Sequence, residues 1–462
     1  MTPSPPATST TGLITLFYDL NRPRETPFLS RHYSSRSVTS YRDDIYPSLP
    51  CIALYIPELS VAIITCYHAQ CLPLLGMRDF LPTIGPESKF LHDHYLHRTA
   101  CALSAAQKGQ SPFVNLLLPL ASCSDLILQA VLSLSGVHFG EEDKSSQQAV
   151  VTYGHYAQAL RGLKYGLTKF ASGQTDLALE LLLATLLLCF IEGIRGDTEG
   201  NSFHHLNAAR QLFPVMLANT EQLVSCREMV LFVTEFYAYV LTLSSFTSKT
   251  SVVDDAQVIF NALSRLKTPM TGPFFGCARE LFALIPSAAA AIRYLDHEPR
   301  TNEQTQQHDP SLTTNLRSRV LSWAPAPICR DDQVIAGRLY QLSILLLLNN
   351  TEEPGEIEGG DFPSSSEVLM SNFVDMLQNL NVGAEITTTL CWPLAVAGSY
   401  AYDVHHQQVI KQYLVEMEAH YAFKNLTLLR TLLQRCWQGR TEEDQANITS
   451  TMNKQGISVM FF

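Results

Sequence analysis

The segment GIRGDTEGNSFHHLNAARQLF, residues 193–213, brings acidic, basic and imidazole side chains together directly after a strongly apolar stretch. In a catalytic interpretation, His204 or His205 acts as a general base that Asp197 or Glu199 orients. A base of this kind takes a proton from a substrate or from water, so this cluster is the first candidate for an active site.

The same segment also has the composition of a loop that joins two helices. Glycines interrupt it, Asp197 or Ser202 is placed to cap the following helix, and His205 is placed to pack beside Leu206. Histidines near the start of a helix are more often capping or core residues than catalytic bases. We therefore interpret the segment as a structural loop and assign it no catalytic residue.

Two further clusters contain residue types that bind metals. Asp93, His94 and His97 are three or four residues apart on a predicted helix, and residues 403–406 read DVHH. Neither cluster has a nearby cysteine or a third ligand on a matching element, so both are interpreted as solvated helix faces.

Motifs of the common catalytic and nucleotide-binding sites are missing from the sequence. No Gly-x-Ser-x-Gly, Gly-x-x-x-x-Gly-Lys-Ser/Thr, Gly-x-Gly-x-x-Gly or His-Glu-x-x-His pattern is present. The sequence therefore predicts no catalytic, cofactor-binding or metal-binding residue, no cofactor and no enzyme activity.

Large aromatic residues are candidates for the lining of a ligand cavity. Trp323 and the pair Trp392 and Pro393 would suit a site for a small molecule. Burial in the core is the more common role of such side chains, and we expect it here.

All these residues are positioned by a chain whose apolar pattern is helical from about residue 86. Strand-like alternation is nearly absent after residue 80, so the sequence predicts an all-α, multi-helix array. Pro119 is expected to end or kink the helix that contains it. Helices are expected at about 86–107, 111–120, 124–140, 145–172, 175–193, 202–218, 222–247, 252–266, 275–296, 312–323, 332–349, 364–380, 384–401, 405–421 and 424–438.

The two longest apolar stretches are residues 51–65 and 177–191. Both are interrupted by acidic residues or proline and are shorter than the ~20 residues that span a bilayer. We expect them to be buried elements and expect no membrane contact.

The net charge and the cysteine pattern argue against a nucleic-acid-binding protein and against a zinc-binding one. The net charge is -11 and no dense basic run occurs, so direct nucleic-acid binding by this chain is not expected. The eleven cysteines are scattered without a Cys-x-x-Cys pair, which is typical of reduced core residues in an intracellular protein.

Five blocks of sequence, in order, resemble the regulatory (middle homology) domain of fungal-specific transcription factors of the acriflavine-resistance-regulator type. They include FLHDHYLHRTACALSAAQKGQSPFVNLLLPLASCSDLILQAVLSLSGVHF, EGIRGDTEGNSFHHLNAARQLF and LCWPLAVAGSYA, and the resemblance covers about residues 86–440. The blocks occupy residues 90–139, 192–213, 273–292, 321–350 and 390–401.

This resemblance implies a helical regulatory domain over residues 86–462, acting in the nucleus on a fungal pathway such as secondary metabolism or drug response. It implies protein partners, a second copy of the chain or a DNA-binding transcription factor, and allows a small-molecule effector. The family's binuclear zinc cluster is not matched, because Cys51, Cys66 and Cys71 have the wrong spacing.

The segment 1–85 is expected to be weakly ordered, and the sequence leaves open whether it is a genuine N-terminus or a gene-model artefact. A second hypothesis is that the helical scaffold serves as an enzyme or metabolite-binding protein of a biosynthetic pathway. That hypothesis requires a polar cavity that holds several of His94, Asp197, His205 and Tyr340.

Overall fold

The computed structural model describes residues 84–106, 109–142, 146–267, 269, 271–296, 310–349, 365–440 and 447–462. All of them belong to one compact unit. The segment expected to be weakly ordered, residues 1–85, lies outside the described residues except for 84 and 85, and so do Cys51, Cys66 and Cys71. The boundary between the two predicted domains therefore stays a prediction.

The described chain is an all-α array, as predicted. In these residues the only β pairing consists of two isolated bridges. The first half contains α1 (Pro86–His94), α2 (Ala100–Ala102), α3 (Pro112–Asn115), α4 (Leu117–Cys123), α5 (Asp125–Glu142), α6 (Ser146–Ala171), α7 (Ala178–Ile194), α8 (Asn201–Ala218), α9 (Thr220–Ser225) and α10 (Arg227–Ser244).

The second half has a similar density of helices. It contains α11 (Val253–Arg265), α12 (Arg279–Phe282), α13 (Ile285–Asp296), α14 (Pro310–Ser322), α15 (Asp331–Asn349), α16 (Ser366–Gln378), α17 (Cys391–Ser399), α18 (Val404–Tyr421), α19 (Lys424–Gln438) and α20 (Ile448–Gln455). A π-helical turn at Tyr95–Thr99 and 3₁₀ turns at Thr175–Leu177 and Glu385–Thr389 join some of them.

Helix α7 is the most apolar element. Every residue in it except Glu180 is buried, because α5, α6, α8 and α10 all pack against it. Each of its leucines contributes about 1.5–3 kcal/mol by leaving water. The span Thr175–Ile194 is long and apolar enough to cross a membrane, yet 89% of its most apolar window is buried inside the protein. The interpretation of residues 177–191 as a buried element is confirmed.

Helix α15 is the central buried helix of the second half, as α7 is of the first. Its residues from Leu339 to Leu348 are all buried, and α13, α14, α16 and α17 pack around it. Asp331 and Asp332 occupy its first turn, where negative charge stabilises the positive end of the helix dipole.

The end or kink predicted at Pro119 is confirmed, because the predicted helix is interrupted at Leu116, between α3 and α4, and Pro119 is the third residue of α4. Two other helix predictions were wrong. The helix expected from residue 275 starts only at Arg279, after a tight turn. Helix α20 was not predicted, because only Ile448 and Met452 form its apolar stripe.

The residues that follow α20 lie over the first half of the array. The backbone N–H of Ser458 donates to the carbonyl of Thr198 at 2.9 Å, and the hydroxyl of Thr247 donates to the carbonyl of Val459 at 2.6 Å. Residues 459–462 are all buried. This segment therefore ties the C-terminal helices to the loop between α7 and α8.

Candidate functional site

The loop between α7 and α8 contains the first candidate site, and Asp197 organises it. One carboxylate oxygen of Asp197 accepts hydrogen bonds from the Glu199 N–H at 3.0 Å and the Asn201 side chain at 3.2 Å. The other accepts from the N–H of Ser202 at 2.9 Å and from its hydroxyl. The predicted capping role of Asp197 is confirmed.

The pairing that a catalytic interpretation requires is not formed in the described residues. Both Asp197 oxygens are used by the start of α8, and neither Asp197 nor the exposed Glu199 bonds a histidine there. His205 is buried, with 5% of its surface exposed. The structure thus places Asp197 and Glu199 in a helix-capping loop and His205 inside α8.

His94 is half-buried and belongs to a hydrogen-bond network that continues into the core. Its Nδ1 lies 3.2 Å from the Thr99 hydroxyl and 3.1 Å from the Ser135 hydroxyl. Thr99 lies 3.0 Å from Nδ1 of His138, whose Nε2 lies 2.8 Å from the Tyr421 carbonyl.

A carbonyl only accepts, so Nε2 of His138 donates, and in the neutral imidazole Nδ1 then accepts from the Thr99 hydroxyl. Thr99 in turn accepts from Nδ1 of His94. The π turn at Tyr95–Thr99 places Thr99 between the two imidazoles, and the network fastens α1 to α5 and to the end of α18.

Most other members of the two predicted histidine clusters face solvent, but His406 is half-buried, with its Nε2 3.5 Å from the Ser371 hydroxyl. Asp93 has 52% of its side chain exposed, and His97 is exposed. In the segment 403–406, Asp403 caps α18 by accepting from two backbone N–H groups, at 2.7 and 3.2 Å, and these bonds lower the pKa of Asp403. Among the described residues, no group of three or more His, Cys, Asp or Glu side chains is arranged to hold a metal ion.

The tryptophans pack in the core, as expected. Trp392 is fully buried and stacks on Tyr340 with ring centroids 5.6 Å apart. Trp323 covers Gly337, where a Cβ would lie 2.5 Å from the indole. The hydroxyl of Tyr340 donates to the carbonyl of Thr389.

A cavity of about 510 Å³ lies beside α10, and we call it the Glu235 cavity. This volume falls within the ~300–1,000 Å³ of typical ligand sites. None of His94, Asp197, His205 and Tyr340 lines it. Its walls include Glu235, Glu228, Leu231, Phe232, Arg330 and Gln333.

Glu235 is buried, with 6% of its surface exposed. Its Oε1 accepts the backbone N–H groups of Phe274 at 3.0 Å and Phe275 at 3.3 Å. Its Oε2 accepts no hydrogen bond from any described residue. Burial raises the pKa of Glu235 to about 7, although the two N–H groups and the charge of Arg279 oppose that shift.

The turn that binds Glu235 is closed by Gly272 and Gly276. Their backbones exchange two hydrogen bonds, at 3.0 and 3.2 Å, and Gly276 has a φ of 53°, which glycine adopts readily. A Cβ on Gly272 would lie 2.1 Å from Oε1 of Glu235. The carboxyl group therefore lies directly on the Gly272 backbone.

A second cavity, of about 340 Å³, lies between α13 and α20. Arg293 lines it and donates to the carbonyls of Ser245 and Ser248, at 2.9 and 2.7 Å. Asn447 lines it and caps α20. These polar groups already serve the fold, so the Glu235 cavity is the stronger candidate site.

Comparison with known families gives one result, which covers most of the chain. The model of the fungal specific transcription factor domain matches residues 89–462. The chain belongs to this family. The resemblance read from the sequence blocks is thus confirmed, and membership implies a role in transcription regulation. Neither the curated proteins nor the solved structures give a significant match.

Within this fungal specific transcription factor domain, the sequence did not reveal Glu235 as a site residue. It lies inside a long apolar helix, and its hydrogen-bond donors are 39 and 40 residues away along the chain. The only signal along the chain was an acid within the apolar pattern of a helix, because the Gly-Pro-Phe-Phe-Gly turn at residues 272–276 is far from Glu235 in sequence.

Proposed function

We propose that this chain is a regulatory protein of a fungal pathway, such as secondary metabolism or drug response, that acts in the nucleus through contacts with protein partners. The observation that supports the proposal is the family match over residues 89–462, which spans nearly the whole described helical array. The partner is a DNA-bound transcription factor or a second copy of the chain.

Charge favours a partner as the source of DNA contact. The chain has 43 acidic and 32 basic residues, and binding to phosphates requires clustered Lys and Arg. A partner that carries its own DNA-binding domain supplies these contacts, and the helical array contributes an interface.

The Glu235 cavity supports an additional role as an effector site. A ligand that binds one packing of the surrounding helices better than another shifts the population toward it. The shift would change the surface of the helical array and therefore its affinity for protein partners.

Chromatin association of the tagged full chain in its host tests the proposal. We expect occupancy at defined promoters, together with co-purification of a DNA-binding protein, and loss of that occupancy when the partner gene is deleted. A chain that stays off chromatin and co-purifies with no DNA-binding protein would overturn the proposal. Occupancy that survives deletion of every co-purified partner would contradict the partner-supplied DNA contact.

A second candidate function is a metabolite-binding protein or enzyme of a biosynthetic pathway. The volume of the Glu235 cavity and its buried carboxyl group favour it. Mass spectrometry of small molecules released from the purified chain tests it: a stoichiometric metabolite that is converted on incubation supports an enzyme. A metabolite bound without turnover supports the regulatory alternative.

A further inference from the structure

One face of α10 forms the floor of the Glu235 cavity. Glu228, Leu231, Phe232 and Glu235 all line the cavity, and their spacing of three, four and seven residues places them along a single helix face. The floor is therefore apolar in its middle and acidic at both ends. The two acidic positions are separated by about 10 Å along the helix axis, at 1.5 Å per residue.

The two acids differ in their surroundings. Glu228 is exposed and marks the open end of the cavity. Glu235 is buried at the inner end, where one oxygen is held by the turn at residues 272–276 and the other accepts no hydrogen bond from the described residues. The second oxygen is not one of the buried side-chain atoms that lack a partner, so it is accessible from the cavity to a ligand that donates a hydrogen bond.

The positively charged residues near the cavity are offset by carboxylates, so they do not repel a positively charged ligand strongly. Arg330 is held by Asp332 at 2.8 Å and lies 3.4 Å from Glu385, so two carboxylates offset its charge. Arg279 acts on Glu235 only as a charge that partly opposes the effect of burial. The cavity as a whole therefore favours cations over anions.

We propose that the Glu235 cavity binds an aliphatic diamine, with one ammonium group on Glu235, the second near Glu228, and the methylene chain against Leu231 and Phe232. Charge-assisted hydrogen bonds to carboxylates are about twice as strong as neutral ones, so both ends favour ammonium over hydroxyl groups. This assignment depends on the proposed regulatory function for its biological meaning, because the diamine would be the effector. The binding itself is testable without it.

Binding is linked to the ionisation of Glu235. The ammonium group requires the carboxylate form, and Glu235 has a pKa raised to about 7. Alkyl ammonium groups titrate near ~10 and stay charged in this range. With Glu228, Arg279 and Arg330 as the other charges facing the site, affinity is expected to rise about tenfold from pH 6 to pH 8.

Isothermal titration of the full chain with cadaverine tests the proposal. Pentylamine, pentanediol and glutarate are the matched monocationic, neutral and anionic probes. We expect saturable binding of cadaverine, weaker binding of pentylamine, and no binding of the other two. Comparable binding of pentanediol or glutarate, or no saturable binding of cadaverine, would overturn the proposal.

Two variants locate the amine. Glu235→Gln is expected to weaken the binding of cadaverine by about tenfold or more, and a tenfold change equals about 1.4 kcal/mol. Glu228→Gln is expected to weaken the binding of cadaverine and to leave the affinity for pentylamine unchanged. Because Glu228 is exposed, this substitution should not destabilise the fold. Glu367→Gln, an exposed acid on α16, is the control and should bind like the wild type.

Circular dichroism of each variant establishes that it is folded. If Glu235→Gln is unfolded, the selective loss at Glu228 still decides the proposal. Wild-type affinity in both variants would place the amine elsewhere and overturn it. Cadaverine binding without any effect on chromatin occupancy would remove the effector role but leave both the binding site and the partner-dependent regulation intact.

Discussion

The ring of Phe462 lies against the backbone of Gly193 so closely that a Cβ on this glycine would be 2.3 Å from the ring Cζ. Phe462 also stacks on Phe190, with ring centroids 4.7 Å apart and planes at 13°. The Asn425 side chain donates to the Phe462 carbonyl at 3.1 Å. The end of α7, α19 and the segment after α20 thus meet at one glycine.

Gly193→Ala is expected to destabilise the protein by about 1–3 kcal/mol, because the added methyl group must displace a buried ring. Gly154→Ala is the matched control, since Gly154 is also helical and a Cβ there meets nothing within 4 Å. The control should be neutral or stabilising by up to ~1 kcal/mol, because alanine favours helix. Urea unfolding followed by circular dichroism measures both.

Equal effects of these two substitutions would show that Phe462 does not pack on Gly193. A double-mutant cycle with Phe462→Ala refines the result, because removal of the ring makes space for the new methyl group. We expect Gly193→Ala to cost less in the Phe462→Ala background than in the wild type.

Asp197→Ala separates the structural from the catalytic interpretation of the α7–α8 loop. Loss of the carboxylate leaves the N–H groups of Glu199 and Ser202 without their acceptor, so stability should fall by about 1–3 kcal/mol. Glu199→Ala is the control, because its exposed side chain is not part of the cap. If Asp197→Ala leaves the free energy of unfolding unchanged, this result would contradict the capping role and favour the catalytic interpretation.

Tyr340→Phe tests whether Tyr340 is a core residue, as its contacts indicate. The substitution keeps the stacking on Trp392 but removes the donor to the Thr389 carbonyl, which becomes a buried acceptor without its partner. We expect a loss of about 1–3 kcal/mol in the free energy of unfolding. Tyr165→Phe, at an exposed site, should leave it unchanged, and equal values for the two variants would contradict this assignment.

The sequence predicted the helices well because their apolar positions repeat at helical spacing over many residues. It failed at residues 275–278, where the local pattern also favoured helix. There the chain forms a turn because Glu235, far away in sequence, binds the N–H groups of Phe274 and Phe275. A pattern read along the chain contains no information on such a contact, so the turn and the cavity beside it could not be predicted.

The same limit applies to the histidines. The sequence pattern places His94 and His97 on the same helix face. In the structure, however, His94 joins a network with Thr99 and His138, whereas His97 is exposed. The difference depends on the π turn, which rotates the following residues relative to an ideal helix. The capping role of Asp197 was predictable because it is satisfied within five residues of the chain.

The pH dependence of stability should reveal the buried carboxyl group of Glu235. Its pKa rises from 4.5 to about 7 on folding, so the folded state holds a proton that the unfolded state releases. This contribution to stability is fully present below pH 4.5 and is lost as the pH rises through about 7. The loss amounts to about 3 kcal/mol at most, at about 1.4 kcal/mol for each unit of pKa.

Glu235→Gln stays neutral at every pH, and its amide oxygen can still accept from Phe274 and Phe275. Relative to the wild type, the variant should therefore gain stability as the pH rises from 4.5 to about 7, and the difference should level off above that pH. Both proteins contain the same 14 histidines, so the difference between their urea-unfolding curves isolates Glu235. Parallel pH profiles would mean that the carboxyl group ionises without cost in the folded protein, and Glu235 would then be better solvated than its burial indicates.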